Sequence, residues 1–283
     1  MIIDGKKFAQ KLRNKIKKEI QSIKNKTRLT PCLTVILVGN HTPSEIYVRN
    51  KELAAKEVGI SSKVLRFKSS ISETKLISVI KRLNKDKKIH GILVQLPLPN
   101  HINGNKIIEE IDPRKDVDGF HPINVGNLSS GKDALVPCTP LGCYLMIKSV
   151  RKNLSGLNAF IIGRSNLNGK PMAQLLLKED CTVTIGHSKT KNLKELCKKA
   201  DIVVAAVGRA NLVKGDWVKK GAIVIDVGIN RIEKKKGYKI VGDVEFKSVV
   251  KKARAITPVP GGVGPVTIAC LLNNTLKAFK NIN

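Results

Sequence analysis

A chain of 283 residues exceeds the usual reach of one hydrophobic core, so two domains are expected, and its 42% hydrophobic content excludes wholesale disorder. The net charge of +30 invites a nucleic-acid reading, yet the lysines are spread over Lys6 to Lys26, Lys81 to Lys88, Lys189 to Lys199, Lys234 to Lys239 and Lys247 to Lys252. With aromatic residues at only 4%, stacking platforms for single strands are scarce, and solvated lysine-rich faces account for the charge better than a dedicated nucleic-acid surface.

The amino terminus meets Asp4 and Lys6 before any apolar run develops, unlike a secretory leader, and no stretch has the apolar length that spans a bilayer, so a cytoplasmic protein with no membrane partner is expected. Residues 5–26 carry Phe8, Leu12, Ile16, Ile20 and Ile23 at helical spacing, which predicts an amphipathic helix. The apolar run 32–39, bounded by Pro31 and Gly39, reads as a buried strand, and Thr42-Pro43 opens a helix running to Gly59. Strand 62–67, helix 73–84 and strand 90–97 follow. From Asp112 to Pro140 the periodicity fades into a segment rich in Pro, Gly, Asp and Asn, which reads as a functional or interdomain loop. A helix from Leu141 to Lys152 then leads into strands 158–163, 181–186, 201–208, 222–228 and 253–259, and a last helix over 266–279. The alternation predicts α/β architecture with parallel sheets covered on both faces. The six cysteines, Cys32, Cys138, Cys143, Cys181, Cys197 and Cys270, form no CxxC pair and lack a histidine cluster, so buried reduced thiols are expected rather than structural zinc.

Strand 158–163 ends at Gly163, and Gly163-Arg164-Ser165-Asn166-Leu167-Asn168-Gly169 leads into a helix. Such a turn aims backbone N–H groups and a helix dipole at a phosphate. Ser165 stands where the usual fingerprint has its second glycine, so taken alone the turn equally reads as an ordinary strand–helix connection. The next strand ends in Gly186-His187-Ser188-Lys189, with no carboxylate for ribose hydroxyls, and Arg164 lies in the turn itself. If a dinucleotide binds, NADP is favoured over NAD. For Lys189 the general basicity of the chain is an equal explanation.

Ser44, Tyr47 and Lys51 fall at i, i+3 and i+7, on one helical face just beyond the C-terminal end of a predicted strand. A partly desolvated lysine beside a phenol can exchange protons near neutrality, although the helix alone reads better as an exposed lysine beside a half-buried tyrosine. Gln95 and the Leu96-Pro97-Leu98-Pro99 turn close another strand at the same edge, and the Gln95 amide needs a partner such as a lysine amine or a heterocycle. Asp116 and Asp118 offer paired carboxylates, but without further oxygen ligands nearby a metal ranks below recognition of a pterin's N–H donors. The proline- and glycine-rich segment Thr257 to Pro265 specifies an unusual backbone that can approach a flat ring.

In segments 44–51, 91–99, 112–126, 137–142, 163–177, 221–230, 241–244 and 256–267, nearly the whole chain resembles the bifunctional methylenetetrahydrofolate dehydrogenase/methenyltetrahydrofolate cyclohydrolase family. The resemblance implies an N-terminal catalytic, folate-binding domain over 1–138 and a Rossmann-like NADP-binding domain over 139–265. Helix 266–283 would pack back on the former, with a folate cleft between the domains. It implies NADP-dependent oxidation of 5,10-methylenetetrahydrofolate to 5,10-methenyltetrahydrofolate and hydrolysis of that product to 10-formyltetrahydrofolate, in one-carbon metabolism and purine biosynthesis. Carried over by motif position, Lys51 is the acid/base group of hydrolysis, Tyr47 packs on the ligand, Gln95 orients Lys51 and Asp118 grips the pterin. Leu96, Pro260, Gly261 and Gly262 are assigned to the substrate, and Gly163, Arg164, Ser165, Gly169, His187, Ser188, Ile229 and Thr267 to the cofactor, with Arg164 and Ser188 at the 2′-phosphate. No metal is implied, and a homodimer joined through the NADP domain is expected. Leu53 stands where the family commonly has a second lysine, and Asn168 where it usually has valine, which puts in doubt a supporting charge beside Lys51 and the packing of the nucleotide turn. Intact Tyr47, Lys51, Gln95 and Asp118 argue against a dehydrogenase lacking the hydrolytic step, and no His/Asp hydride-transfer pair supports a small-acid dehydrogenase.

Overall fold

Helix α1 (Gly5–Thr27) of the computed structural model, which describes residues 1–233 and 237–283, buries Ala9, Ile16 and Ile20 and turns its lysines outward. The lysines at 234–236, within the fourth lysine-rich stretch of the sequence, lie outside the described residues. Strand β1 (Cys32–Val38), helix α2 (Thr42–Val58), β2 (Ser61–Phe67), α3 (Glu73–Lys85) and β3 (Gly91–Val94) follow. The strands pair in parallel in the order β2-β1-β3. The central position explains why every residue of β1 after Cys32 is buried, whereas edge strand β2 leaves Ser61, Lys63 and Arg66 exposed. Proline in its first turn starts α2, and Gly59, at φ 87°, ends it as the Gly59 and Ile60 amides reach back to the Lys56 and Ala55 carbonyls.

The segment read as a loop from Asp112 contains helix α5 (Pro122–Ser129), preceded by α4 (Gly104–Glu109). Both are too short to display an apolar helical period, which is why their sequences read as irregular. Lys115, buried here, caps α3 from outside: its Nζ donates to the carbonyls of Leu83, Asn84 and Asp86 at 3.2, 2.8 and 2.8 Å.

Helix α6 (Cys138–Val150) begins three residues before the predicted Leu141, because Pro140 in its first turn gives up no helical hydrogen bond. There follow β4 (Asn158–Ile162), α7 (Gly169–Leu177), β5 (Thr182–Gly186), α8 (Leu193–Lys198), β6 (Ile202–Ala205), β7 (Ile223–Asp226), β8 (Asn230–Glu233), β9 (Tyr238–Val241), α9 (Phe246–Val249), β10 (Ala255–Ile256) and α10 (Val263–Ile282). A parallel sheet runs β10-β7-β6-β4-β5, while β8 and β9 form a separate antiparallel pair. That hairpin has no counterpart in the sequence reading, since its strands are short and largely exposed and so carry no apolar alternation.

The chain divides into two compact units, Gln10–Cys138 with Ile268–Asn283, and Met1–Ala9 with Thr139–Thr267. The first is built on the three-stranded sheet, around Ile36, Leu76, Ile80, Ile92 and Ile107. The second is built on the five-stranded sheet, around Phe160, Ile162, Val203 and Val224. The sequence places residues 1–9 with the first domain; in the fold their contacts group them with the five-stranded sheet. The reason is hydrogen bonding: Ile2 bridges Ile256 in parallel, Ile3 donates to the Ile256 carbonyl at 2.8 Å, and Ile256 donates to the Met1 carbonyl at 3.0 Å. The amino terminus thereby covers the otherwise open edge of β10.

Candidate active site

In the three-stranded unit, Gly39 (φ 77°) turns the chain from the C-terminal end of β1 toward α2. On that helix Tyr47 is 41% exposed and Lys51 is half-buried. Gln95 follows β3, and its backbone amide donates to the Ile36 carbonyl, so the β1–β3 pairing itself sets its position. Lys51 Nζ donates to Gln95 Oε1 at 3.0 Å, while Gln95 Nε2 donates to the Leu96 carbonyl at 2.8 Å. The second bond fixes which end of the amide faces the lysine. Leu96 is half-buried and joined to Pro97 by a cis peptide. Ser44, on the same face, is buried and bonded to the His41 ring at 2.9 Å, so its hydroxyl is engaged locally.

The two carboxylates of the 116–118 segment do not act as a pair. Asp116 is buried, and accepts hydrogen bonds from the amides of Gly119 and His121 and from Asn124 Nδ2, which shapes the turn. Asp118 is left half-buried, and burial pushes its carboxyl up to about 6 against the downward pull of the Lys51 charge. Two residues that sequence reasoning did not single out hold this turn. Cys138 Sγ lies 3.3 Å from the Val117 carbonyl and 3.9 Å from Asp118 Oδ1, its thiol kept protonated chiefly by burial. Asn274 Nδ2 donates to the carbonyls of Val117 at 2.9 Å and Val136 at 2.8 Å. The segment 137–142 was legible as a motif, but nothing local in α10 marks Asn274. Leu53 is an exposed apolar side chain, and among the described residues no group of three or more His, Cys, Asp or Glu is placed to hold a metal ion.

In the five-stranded unit, β4 runs into Gly163 at φ 125°, where any Cβ would overlap the Ala206 carbonyl. A Cβ on Gly169 would likewise overlap the Gly163 carbonyl, so the turn is closed to side chains at both ends and α7 starts directly behind it. Ser165, in place of the second fingerprint glycine, accepts the Asn168 amide at 3.1 Å through its hydroxyl. Asn168 sits at the cap of α7, but its side chain makes no capping bond. Arg164 is exposed in this turn. After β5, the His187 ring is spent on the local turn, accepting the Lys189 amide at 3.2 Å, while Ser188 stays exposed. Ile229, just beyond β7, is 56% exposed. Thr267 Oγ1 lies 3.1 Å from Thr139 Oγ1, a partner that nothing in the local sequence singles out. Pro260 follows a cis peptide, Gly261 has φ 96°, and a Cβ on Gly262 would overlap the Pro258 carbonyl.

A parallel α/β unit carrying a glycine-bounded turn at a helix N-terminus, together with a unit that pairs a lysine with a glutamine near a carboxylate, defines a dinucleotide-dependent enzyme with an acid/base site. Residues 3–118 match the catalytic domain of tetrahydrofolate dehydrogenase/cyclohydrolase and residues 137–283 its NAD(P)-binding domain, so the chain belongs to that family. It is 64% identical over 280 residues to the bifunctional protein FolD of Pelagibacter ubique, covering 99% of this chain and 98% of that one. Its fold is similar to the crystal structure of the bifunctional enzyme FolD from Campylobacter jejuni, with a TM-score of 0.96, 48% identity and 99% of each chain covered. It is also similar to the Trypanosoma brucei methylenetetrahydrofolate dehydrogenase-cyclohydrolase, solved with NADP cofactor and inhibitor, with a TM-score of 0.95, 37% identity and coverage of 99% and 97%.

Proposed function

We infer that this protein is a bifunctional folate enzyme of one-carbon metabolism. It oxidises 5,10-methylenetetrahydrofolate with NADP to 5,10-methenyltetrahydrofolate, then hydrolyses that cation to 10-formyltetrahydrofolate. The observation that carries the assignment of roles is the 3.0 Å bond between Lys51 and Gln95 close to the charge of Asp118.

The five-stranded unit fits NADP: glycines at both ends, where a Cβ would overlap backbone, keep the turn from Gly163 to Gly169 tight against the N-terminus of α7, and no carboxylate ends β5. When bound, NADP supplies the acceptor for the hydride of the methylene carbon. Arg164 and Ser188 would hold the 2′-phosphate, the amides of the turn with Gly163, Ser165 and Gly169 the bridging phosphates, and Ile229 and Thr267 would line the rings. His187 contributes by shaping the turn that presents Ser188.

Asp118 accepts the N–H donors of the pterin, Tyr47 packs on it, and Leu96, Pro260, Gly261 and Gly262 are assigned to the substrate by motif position. Water adds to the methenyl carbon as Lys51 Nζ, in its amine form, takes up the proton released; the bond from that carbon to N5 then breaks, N5 keeping the electron pair and gaining the hydroxyl proton, which leaves the formyl group on N10, while Gln95 Oε1 holds Nζ in place. Replacing Lys51 with Met should abolish hydrolysis of supplied methenyltetrahydrofolate while NADP binding, read by fluorescence, survives. Full hydrolysis in K51M overturns the role of Lys51. A homodimer joined through the five-stranded unit is part of the same reading, supported by exposed Ile232 and Tyr238 on the β8–β9 hairpin and tested by sedimentation. So is a cytoplasmic location, which suits the thiols of Cys138, Cys181, Cys197 and Cys270, buried and pushed up by that burial.

A further inference from the structure

We propose that Asp226 and Asp243 form a relay of two buried carboxylates that positions the loops receiving NADP, making Asp243 a positioning residue for the dehydrogenase step. The proposal rests on reading the five-stranded unit as the NADP-binding domain. Neither acid has a part in the chemistry assigned above, yet both lie in segments, 221–230 and 241–244, that carry the family resemblance.

Asp226 ends β7 and Asp243 follows β9; their relative exposures are 3% and 0%. Asp226 Oδ1 accepts the amides of Gly228 at 3.0 Å and Asp243 at 2.8 Å, and its Oδ2 accepts that of Val244 at 2.9 Å. Asp243 passes the connection on. Its Oδ2 accepts the amides of Val207 at 2.7 Å and Gly208 at 3.0 Å, and its Oδ1 accepts those of Arg209 at 2.8 Å and the Asn230 side chain at 2.9 Å. Every one of these donors is a neutral amide. A carboxylate buried among amides alone is costly unless its lone pairs are filled, which ties both acids to this backbone arrangement. Burial also pushes Asp226 up to about 7, while the amides of Val244, Asp243 and Gly228 oppose it.

The backbone is cut to fit. A Cβ on Gly242 would overlap the Asp226 carboxylate, and one on Gly228 would overlap that of Asp243. The loops so fastened are those behind the cofactor turn. Ala206, against whose carbonyl Gly163 packs, immediately precedes the amides that Asp243 holds. Ile229 lies between Gly228, held by Asp226, and Asn230, held by Asp243. One relay therefore sets the backing of the phosphate turn and the position of Ile229 together. A merely structural pair would affect stability without singling out the cofactor.

The test compares Asp243→Asn and the milder Asn230→Ala with the wild-type enzyme in two assays. One is NADP-dependent oxidation of methylenetetrahydrofolate, and the other is hydrolysis of supplied methenyltetrahydrofolate, which consumes no NADP. In D243N an amide NH2 group faces N–H donors, so the KM for NADP should rise about tenfold or more, with kcat at saturating NADP and the hydrolysis rate both within about threefold of wild type. N230A should raise that KM about threefold. If D243N does not fold, N230A decides: a raised KM with unaltered hydrolysis supports the relay, and an unaltered KM overturns it. Parallel losses in kcat, hydrolysis and thermal midpoint, without a selective change in KM, also overturn it. A wild-type protein with no NADP-dependent oxidation would instead overturn the reading of the five-stranded unit, which separates the two failures.

Discussion

Replacing Gln95 with Leu keeps the approximate volume of the side chain and removes both of its polar ends. Lys51 then loses its acceptor at 3.0 Å, and the Leu96 carbonyl loses its donor at 2.8 Å. A hydrogen bond to an ionisable partner contributes about 1.5–3 kcal/mol, against about 1 kcal/mol for a neutral pair. If the lysine contact is expressed in the transition state for hydrolysis, kcat of that step should fall about 10- to 100-fold, since each 1.4 kcal/mol is a factor of about ten. The Leu96 contact should appear mainly as about 1 kcal/mol of lost stability. Hydride transfer depends on orientation more than on a proton acceptor, so oxidation should fall by about threefold or less. Hydrolysis is followed as loss of the methenyl absorbance from supplied substrate, and oxidation as its appearance in the presence of NADP. Equal losses in both rates, or no loss in hydrolysis, would refute the view that Gln95 acts by holding Lys51.

Lys115→Met should destabilise the three-stranded unit by about 3 kcal/mol, because it strands the three carbonyls now served by the buried Nζ; a shift in the urea midpoint corresponding to less than about 1 kcal/mol would show that water replaces it. Burial raises the Asp118 pKa from 3.8 to about 6, so the folded state holds its proton more tightly than the unfolded chain. The stability associated with protonated Asp118 is present below 3.8 and lost as pH rises through about 6, while pterin binding, which uses the carboxylate, changes in the opposite sense. The KM for methylenetetrahydrofolate should accordingly rise as pH falls through about 6, and Asp118→Asn should bind folate poorly yet melt higher than wild type at pH above that value. A melting temperature lowered by Asp118→Asn at high pH would contradict the burial argument.

Much of this protein was decided locally. Runs such as Leu33 to Val38, apolar but for Thr34 and closed by Gly39, have only the centre of a parallel sheet to go to, and the spacing of Tyr47 and Lys51 puts them on one face whatever surrounds the helix. The turn from Gly163 to Gly169 is likewise readable, since no residue with a Cβ fits either end. Other features depend on residues far apart in the chain. Lys51 meets Gln95 across 44 positions, Val117 meets Asn274 across 157, and Met1 and Ile3 find Ile256 at the edge of a sheet from which they are remote in sequence. Asp116 and Asp118 look equivalent in the sequence, and it is packing that gives one the amides of a buried turn and leaves the other half-buried near Lys51. The same holds for Asp226 and Asp243, whose donors come from three separate segments. Hydrophobic periodicity is a local property and specifies which face of an element is buried. The satisfaction of a buried polar group is a property of whatever backbone arrives beside it, and only the assembled fold determines that.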